Sequence, residues 1–153
     1  MIRMISAVLL ILSVFSSAVF AMPIVDRAAI DKIGTEIEIA VTNKDEAALL
    51  QYIHSESKIT IQGRDISYAE YETILGVKMS SKGSSGVKTE VVSFTRDKEN
   101  NSAIVETKTT AILEMMGMKI KDVSLNKTKY GVIDGEIKVL ESEDTSISSG
   151  PFE

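Results

Sequence analysis

The sequence predicts an α+β fold in which a curved antiparallel sheet wraps around a long N-terminal helix, with three helices on one face. Three observations carry this prediction. Apolar residues recur at three- and four-residue spacing at Ile30, Ile33, Ile37, Ala40 and Val41, as along one face of a helix. Past Gly86 the period becomes two, along Ala103, Val105, Thr107, Thr109, Ala111 and Leu113, as on a half-buried strand. Asp134-Gly135 is a two-residue hairpin signal. Helices followed by a run of strands give segregated layers rather than alternating β and α units.

The chain opens on Arg3 and an uncharged stretch over residues 4–22. A basic start, an apolar centre and the exit Val19-Phe20-Ala21 match a secretory signal peptide, so residues 1–21 are assigned to one. The stretch is just long enough to span a bilayer uncleaved, but Ser6, Ser13, Ser16, Ser17 and Pro23 interrupt it. No cysteine is present to carry a lipid. The expectation is a periplasmic or secreted protein without a membrane anchor after cleavage. Of 153 residues, 132 then remain, with 16 basic against 22 acidic side chains and a net charge of −6. One domain is the limit at this length. Nucleic acid is excluded as a partner for want of a basic excess, and a disulfide framework for want of cysteine.

The elements follow in order. A helix of about 18–20 residues is expected from Pro23, which suits a first turn. Asn43 and Glu46 have the spacing of a reciprocal cap, opening a short helix over residues 45–53 that ends near His54. Residues 58–62 form a strand closed by Gly63. Ser67 and Glu70 make a capping box for a third helix reaching Val77. Residues 80–86 read as a flexible Ser/Gly loop. Strands are expected over 87–96, 102–113, 118–130 and 136–140. In the third of these the apolar parity moves from Met118 and Ile120 to Val123 and Leu125, which places a β-bulge near Asp122. Residues 22–143 make one domain, and 144–153, without apolar period, a disordered tail.

This order of elements, with the short helix headed by Asp45-Glu46, the strand 58–62, the helix at Ser67 and a meander closing at Asp134-Gly135, resembles the nuclear transport factor 2-like superfamily. These are SnoaL-like, cystatin-like cones, and the likeness covers residues 24–142. Where many members carry Gly-x-Trp, this chain has Gly135-Glu136-Ile137. The resemblance implies a pocket inside the cone, used for isomerase, dehydratase or cyclase chemistry in some members and for binding in others. The isomerases carry a general-base carboxylate in the strand after the second helix and a tyrosine on the first helix. Here residues 58–62 hold no carboxylate, and residues 25–41 no tyrosine.

Thr107 and Thr109 share parity with Val105 and should face the helices, where Tyr52, Ile61, Tyr68 and Tyr71 complete the wall of a small, mainly apolar pocket. His54, the one histidine, and Asp122 are the weak acid–base candidates. Ser55-Glu56-Ser57-Lys58 matches Ser-x-x-Lys, but the Ser-Asp-Asn and Lys-Thr-Gly elements of that chemistry are missing. Gly83-Ser84-Ser85-Gly86 lacks the Lys-Ser/Thr of a phosphate loop. No metal site or cofactor is expected. Lys119, Lys121, Lys127 and Lys129 read as the solvated outer face of the sheet. The functional expectation is a non-catalytic extracytoplasmic module that binds a small apolar molecule, dimerising through its sheet. The alternatives are a small isomerase-, dehydratase- or cyclase-type enzyme, and a structural protein with a filled core.

Overall fold

The computed structural model describes residues 21–80, 84–115 and 118–151; residues 1–20 of the expected signal segment and Met116-Gly117, where a turn is expected, lie outside them. Helix α1 (Arg27–Asn43) is capped by Asp26, whose carboxylate accepts from the Ala29 N–H. The helix therefore starts four residues after Pro23, and residues 23–25 form a strap ahead of it. Asn101, in the turn between two later strands, clamps this strap. Its side-chain oxygen accepts from the Val25 N–H at 3.0 Å, and its amide donates to the Pro23 carbonyl at 2.9 Å. Helix α2 (Glu46–Leu50) is capped by Asp45 rather than Asn43, which α1 absorbs as its last residue. Helix α3 (Tyr68–Ser80) has the expected capping box: Ser67 N–H donates to Glu70 at 2.8 Å and Glu70 N–H to Ser67 Oγ at 3.2 Å.

The strands are β1 (Ile53–Ile61), β2 (Arg64–Ile66), β3 (Ser84–Asp97), β4 (Ser102–Met115), β5 (Met118–Ile133) and β6 (Glu136–Pro151). They form one sheet in the order β2-β1-β6-β5-β4-β3. All neighbours are antiparallel except β1 and β6, which run parallel, so the sheet is mixed. Asp134 and Gly135 both take positive φ in the β5–β6 turn, as do Gln62 and Gly63 between β1 and β2; both are the tight hairpin geometry that this sign allows.

Two expectations are corrected. Residues 144–151 are not a disordered tail: they continue β6, paired with β5 from Asn126↔Asp144 to Ile120↔Pro151. The bulge near Asp122 is not in β5, whose register with β4 runs unbroken. The extra residues sit in β6, at Leu140 and Ile147, where its register with β5 shifts. Thus β5 keeps one parity throughout, and Lys119, Lys121, Lys127 and Lys129 share the outer face. On the inner face Ile30 and Ile33 of α1 pack with Val25, Ala103 and Val105. A second cluster joins the helices through Ala40, Leu49 and Leu75. No helix among the described residues is long and apolar enough to cross a membrane.

Candidate active site

Register and parity build the inner floor of the cone in rungs. One rung runs Val91–Thr107–Asn126–Asp144–Ile61, and the next Phe94–Val105–Thr128–Ser142–Ile59. A third aligns Thr89, Thr109, Ser124 and Ser146. Strand side chains alternate faces, so hydroxyls and an amide point where a plain core would have aliphatic residues.

Between this floor and α1 lies a cavity of about 470 Å³. Its roof is Ile30, Gly34, Ile37 and the neighbouring Asp31, Thr35 and Glu38; its floor is Thr89, Val91, Val105, Thr107, Thr109, Asn126 and Thr128, with Tyr71 and Tyr130 at the sides. A smaller space of about 120 Å³ adjoins it, lined by Ile59, Ile61, Leu75 and Asp144, and shares Tyr71, Asn126 and Ser142 with the larger one.

Of the residues singled out from sequence, Tyr71, Val105, Thr107 and Thr109 line the larger cavity and Ile61 the smaller. Tyr52 does not line either. It packs on the Val25–Ile30 cluster and donates its hydroxyl to Glu36 of α1. Tyr68, the first residue of α3, is half-buried away from both cavities. His54 is not at the end of α2 but in β1, which starts five residues earlier than expected; its Nδ1 accepts from the Glu56 N–H at 3.2 Å, outside the cavity. Glu56 thereby enters the strand after the second helix, but it is exposed. Asp122 has inward parity, yet lies beyond the cavity, 3.5 Å from Ser146 Oγ.

The sequence reading missed Tyr130, Asn126, Thr128, Ser142 and Asp144. The parity of β5 could have found the first three, had the bulge not been assigned to that strand. The Tyr130 phenol is pushed up to about 12, chiefly by burial and then by Tyr71. Tyr71 is raised by burial and by the charge of Asp144. Both hydroxyls therefore stay protonated and can donate hydrogen bonds at any physiological pH. One carboxylate oxygen of Asp144 is shut off from solvent. Among the described residues no group of histidine and carboxylates is arranged to hold a metal ion. The two adjoining cavities thus bring the Asp144 carboxylate beside Tyr71, which both share, while the larger one adds the neutral Tyr130 phenol and, at its roof, the carboxylates of Asp31 and Glu38.

No protein-family model matches the chain, and no curated protein matches it by sequence. Solved structures do match it in shape. A hexachlorocyclohexane dehydrochlorinase (LinA) of type 2 superposes with a TM-score of 0.65 at 14% identity, over 83% of this chain and 88% of that one. A scytalone dehydratase-like protein from Novosphingobium aromaticivorans gives 0.66 at 11% identity, over 82% and 87%. A nuclear transport factor 2-like protein from Cytophaga hutchinsonii gives 0.62 at 19% identity, over 80% and 98%. The chain has the nuclear transport factor 2-like fold. The neighbours bearing an activity in their names are enzymes, which overturns the expectation of a non-catalytic binding module. That expectation rested on the secretion signal, on the carboxylate missing from residues 58–62 and on the apolar-plus-threonine inner face.

Proposed function

On this fold we propose a small enzyme of the dehydratase or isomerase type, which removes a proton from carbon in a small, largely apolar substrate. The observation that supports this reading is Asp144 in the smaller cavity beside Tyr71, a residue that lines both cavities and whose phenol in turn acts on Tyr130 in the larger one. Dehydrochlorination, dehydration and isomerisation share one demand: a base takes a proton from carbon while negative charge develops on, or departs from, a neighbouring atom. Asp144 is the base. Tyr71 and Tyr130 donate to the oxygen or leaving group on which charge gathers, and Thr107, Asn126 and Thr128 hold the ring edge. Acid–base groups of this kind contribute roughly 10²–10⁴-fold in rate, and donors aimed at the developing charge act more strongly in a partly dry site than in water. The reaction takes place outside the cytoplasm, given the leader expected over residues 1–21.

The test is hydrogen–deuterium exchange at the α-carbon of 2-tetralone, a flat bicyclic ketone, followed by NMR in D2O. The wild-type chain should accelerate exchange over buffer. Asp144→Asn should lower that acceleration by about a hundredfold, and Tyr71→Phe by less. Undiminished exchange by a folded Asp144→Asn protein would remove the base from the proposal.

A further inference from the structure

The sheet separates its charges by face. Lys88, Lys108, Lys119, Lys121, Lys127 and Lys129 all have outward parity, and an outer groove gathers Lys58, Lys127 and Lys129 with Glu141 and Glu143. Inside, among the described residues, no lysine, arginine or histidine lines the larger cavity, while Asp31 and Glu38 do. Its mouth opens between the exposed face of α1 and the β3 edge, where Asp31, Glu38, Thr89 and Val91 are exposed. Asp31 is balanced by Arg27 at 2.7 Å. Glu38 makes no ion pair among the described residues, so it carries the uncompensated charge of the rim. Beyond the mouth, the smaller cavity adds Asp144.

From this distribution we infer that the cone selects by charge: it accepts uncharged and amine-bearing ring compounds and turns away carboxylates and phosphates. A full anion needs a paired charge to offset its lost hydration; this cavity offers neutral donors in Tyr71, Tyr130, Asn126 and its threonines, no cationic side chain among the described residues, and the carboxylates of Asp31 and Glu38 at its roof. An ammonium group would meet Glu38 at the mouth, while a neutral ring loses little hydration against Ile30, Ile37 and Val105. The inference deepens the proposed function by limiting its substrate: the reacting group is activated by a ketone, phenol or alcohol, not by an acid, thioester-bound phosphate carrier or nucleotide.

The experiment compares three probes with one ring system: 2-naphthol, 2-naphthylmethylamine and 2-naphthoate. Binding is followed by naphthalene fluorescence at low ionic strength, where charges are least screened. The naphthol and the amine should bind, and the naphthoate at least about tenfold more weakly than the naphthol. Glu38→Lys, at an exposed helical position where Lys is well tolerated, should narrow the naphthoate deficit and weaken the amine. Equal binding of naphthol and naphthoate would overturn charge selection while leaving the base assignment to stand on 2-tetralone exchange. An unchanged naphthoate deficit in Glu38→Lys would likewise overturn it. Failure of all three probes would sink the cavity as a substrate site, together with the inference drawn from it.

Discussion

Burial acts on single side chains here by fixing protonation. The phenols of Tyr52 and Tyr130 are each raised to about 12, against an ordinary value of 10.0. Desolvation comes first for both, followed by the hydrogen bond to Glu36 for Tyr52 and by Tyr71 for Tyr130. Below pH 10 neither folded nor unfolded chain ionises these groups. Above it the unfolded chain loses protons that the native one keeps, so the stability these sites contribute falls as pH rises from about 10 to 12. An absorbance titration of the phenolates should show Tyr52 and Tyr130 ionising late, with Tyr71 also raised, and Tyr52→Phe and Tyr130→Phe should each remove one late equivalent. If all tyrosines ionise together near 10 in the folded protein, the burial argument fails. Gly131 makes a second case. A Cβ there would stand 2.6 Å from Leu140 Cδ1, on the residue that forms the first β6 bulge. Gly131→Ala should therefore destabilise by about 1–3 kcal/mol through overpacking, read as a lower urea midpoint; an unchanged midpoint would mean that Leu140 moves freely.

At the scale of elements, β6 separates what the sequence could disclose from what it could not. Helices α1 and α3 were legible because apolar spacing and a capping box are local signals. β4 was legible because one face is core, so Thr107 and Thr109 fell on the correct side. The second half of β6 reads Asp144-Thr145-Ser146-Ile147-Ser148-Ser149 and has no apolar period, since its inner face meets a polar floor. What holds it is the backbone ladder to β5, extended by the Gln62 N–H bond to the Asp144 carbonyl at 2.9 Å. Backbone pairing leaves no residue signature, so Asp144 was lost with its strand. The start of β1 was hidden likewise, because its register against β6 breaks between Ile53 and Lys58. A chain ending at Glu143 tests this. A loose tail would be dispensable, whereas a paired strand at roughly 0.5–1.5 kcal/mol per hydrogen bond predicts a loss of at least about 3 kcal/mol in urea unfolding. Unchanged stability in the shortened chain would return residues 144–153 to the status of a tail.

Across the whole molecule, the two ends of the fold are joined by a contact that no periodicity announces. Val25 is 0% exposed and sits in the main core cluster, four residues after the expected cleavage point at Ala21. Asn101 holds it from a turn 76 residues away in sequence, using both atoms of its amide and a positive φ of 45°. The strap fixes where α1 begins, and α1 is the roof of the cavity, so the turn between β3 and β4 bears on the site without touching it. Asn101→Gly keeps the left-handed backbone but removes both bonds, and a buried donor left unmet costs about 1–3 kcal/mol. Asn101→Asp keeps the acceptor for the Val25 N–H and loses only the donor to Pro23, so it should cost less. The order wild type, Asp, Gly should appear in thermal unfolding of a chain beginning at Met22, and naphthol binding should weaken in the same order as the roof loosens. A glycine variant as stable as the wild type would show that the strap is held by burial of Val25 alone. A stability loss without any loss of naphthol binding would uncouple the strap from the cavity.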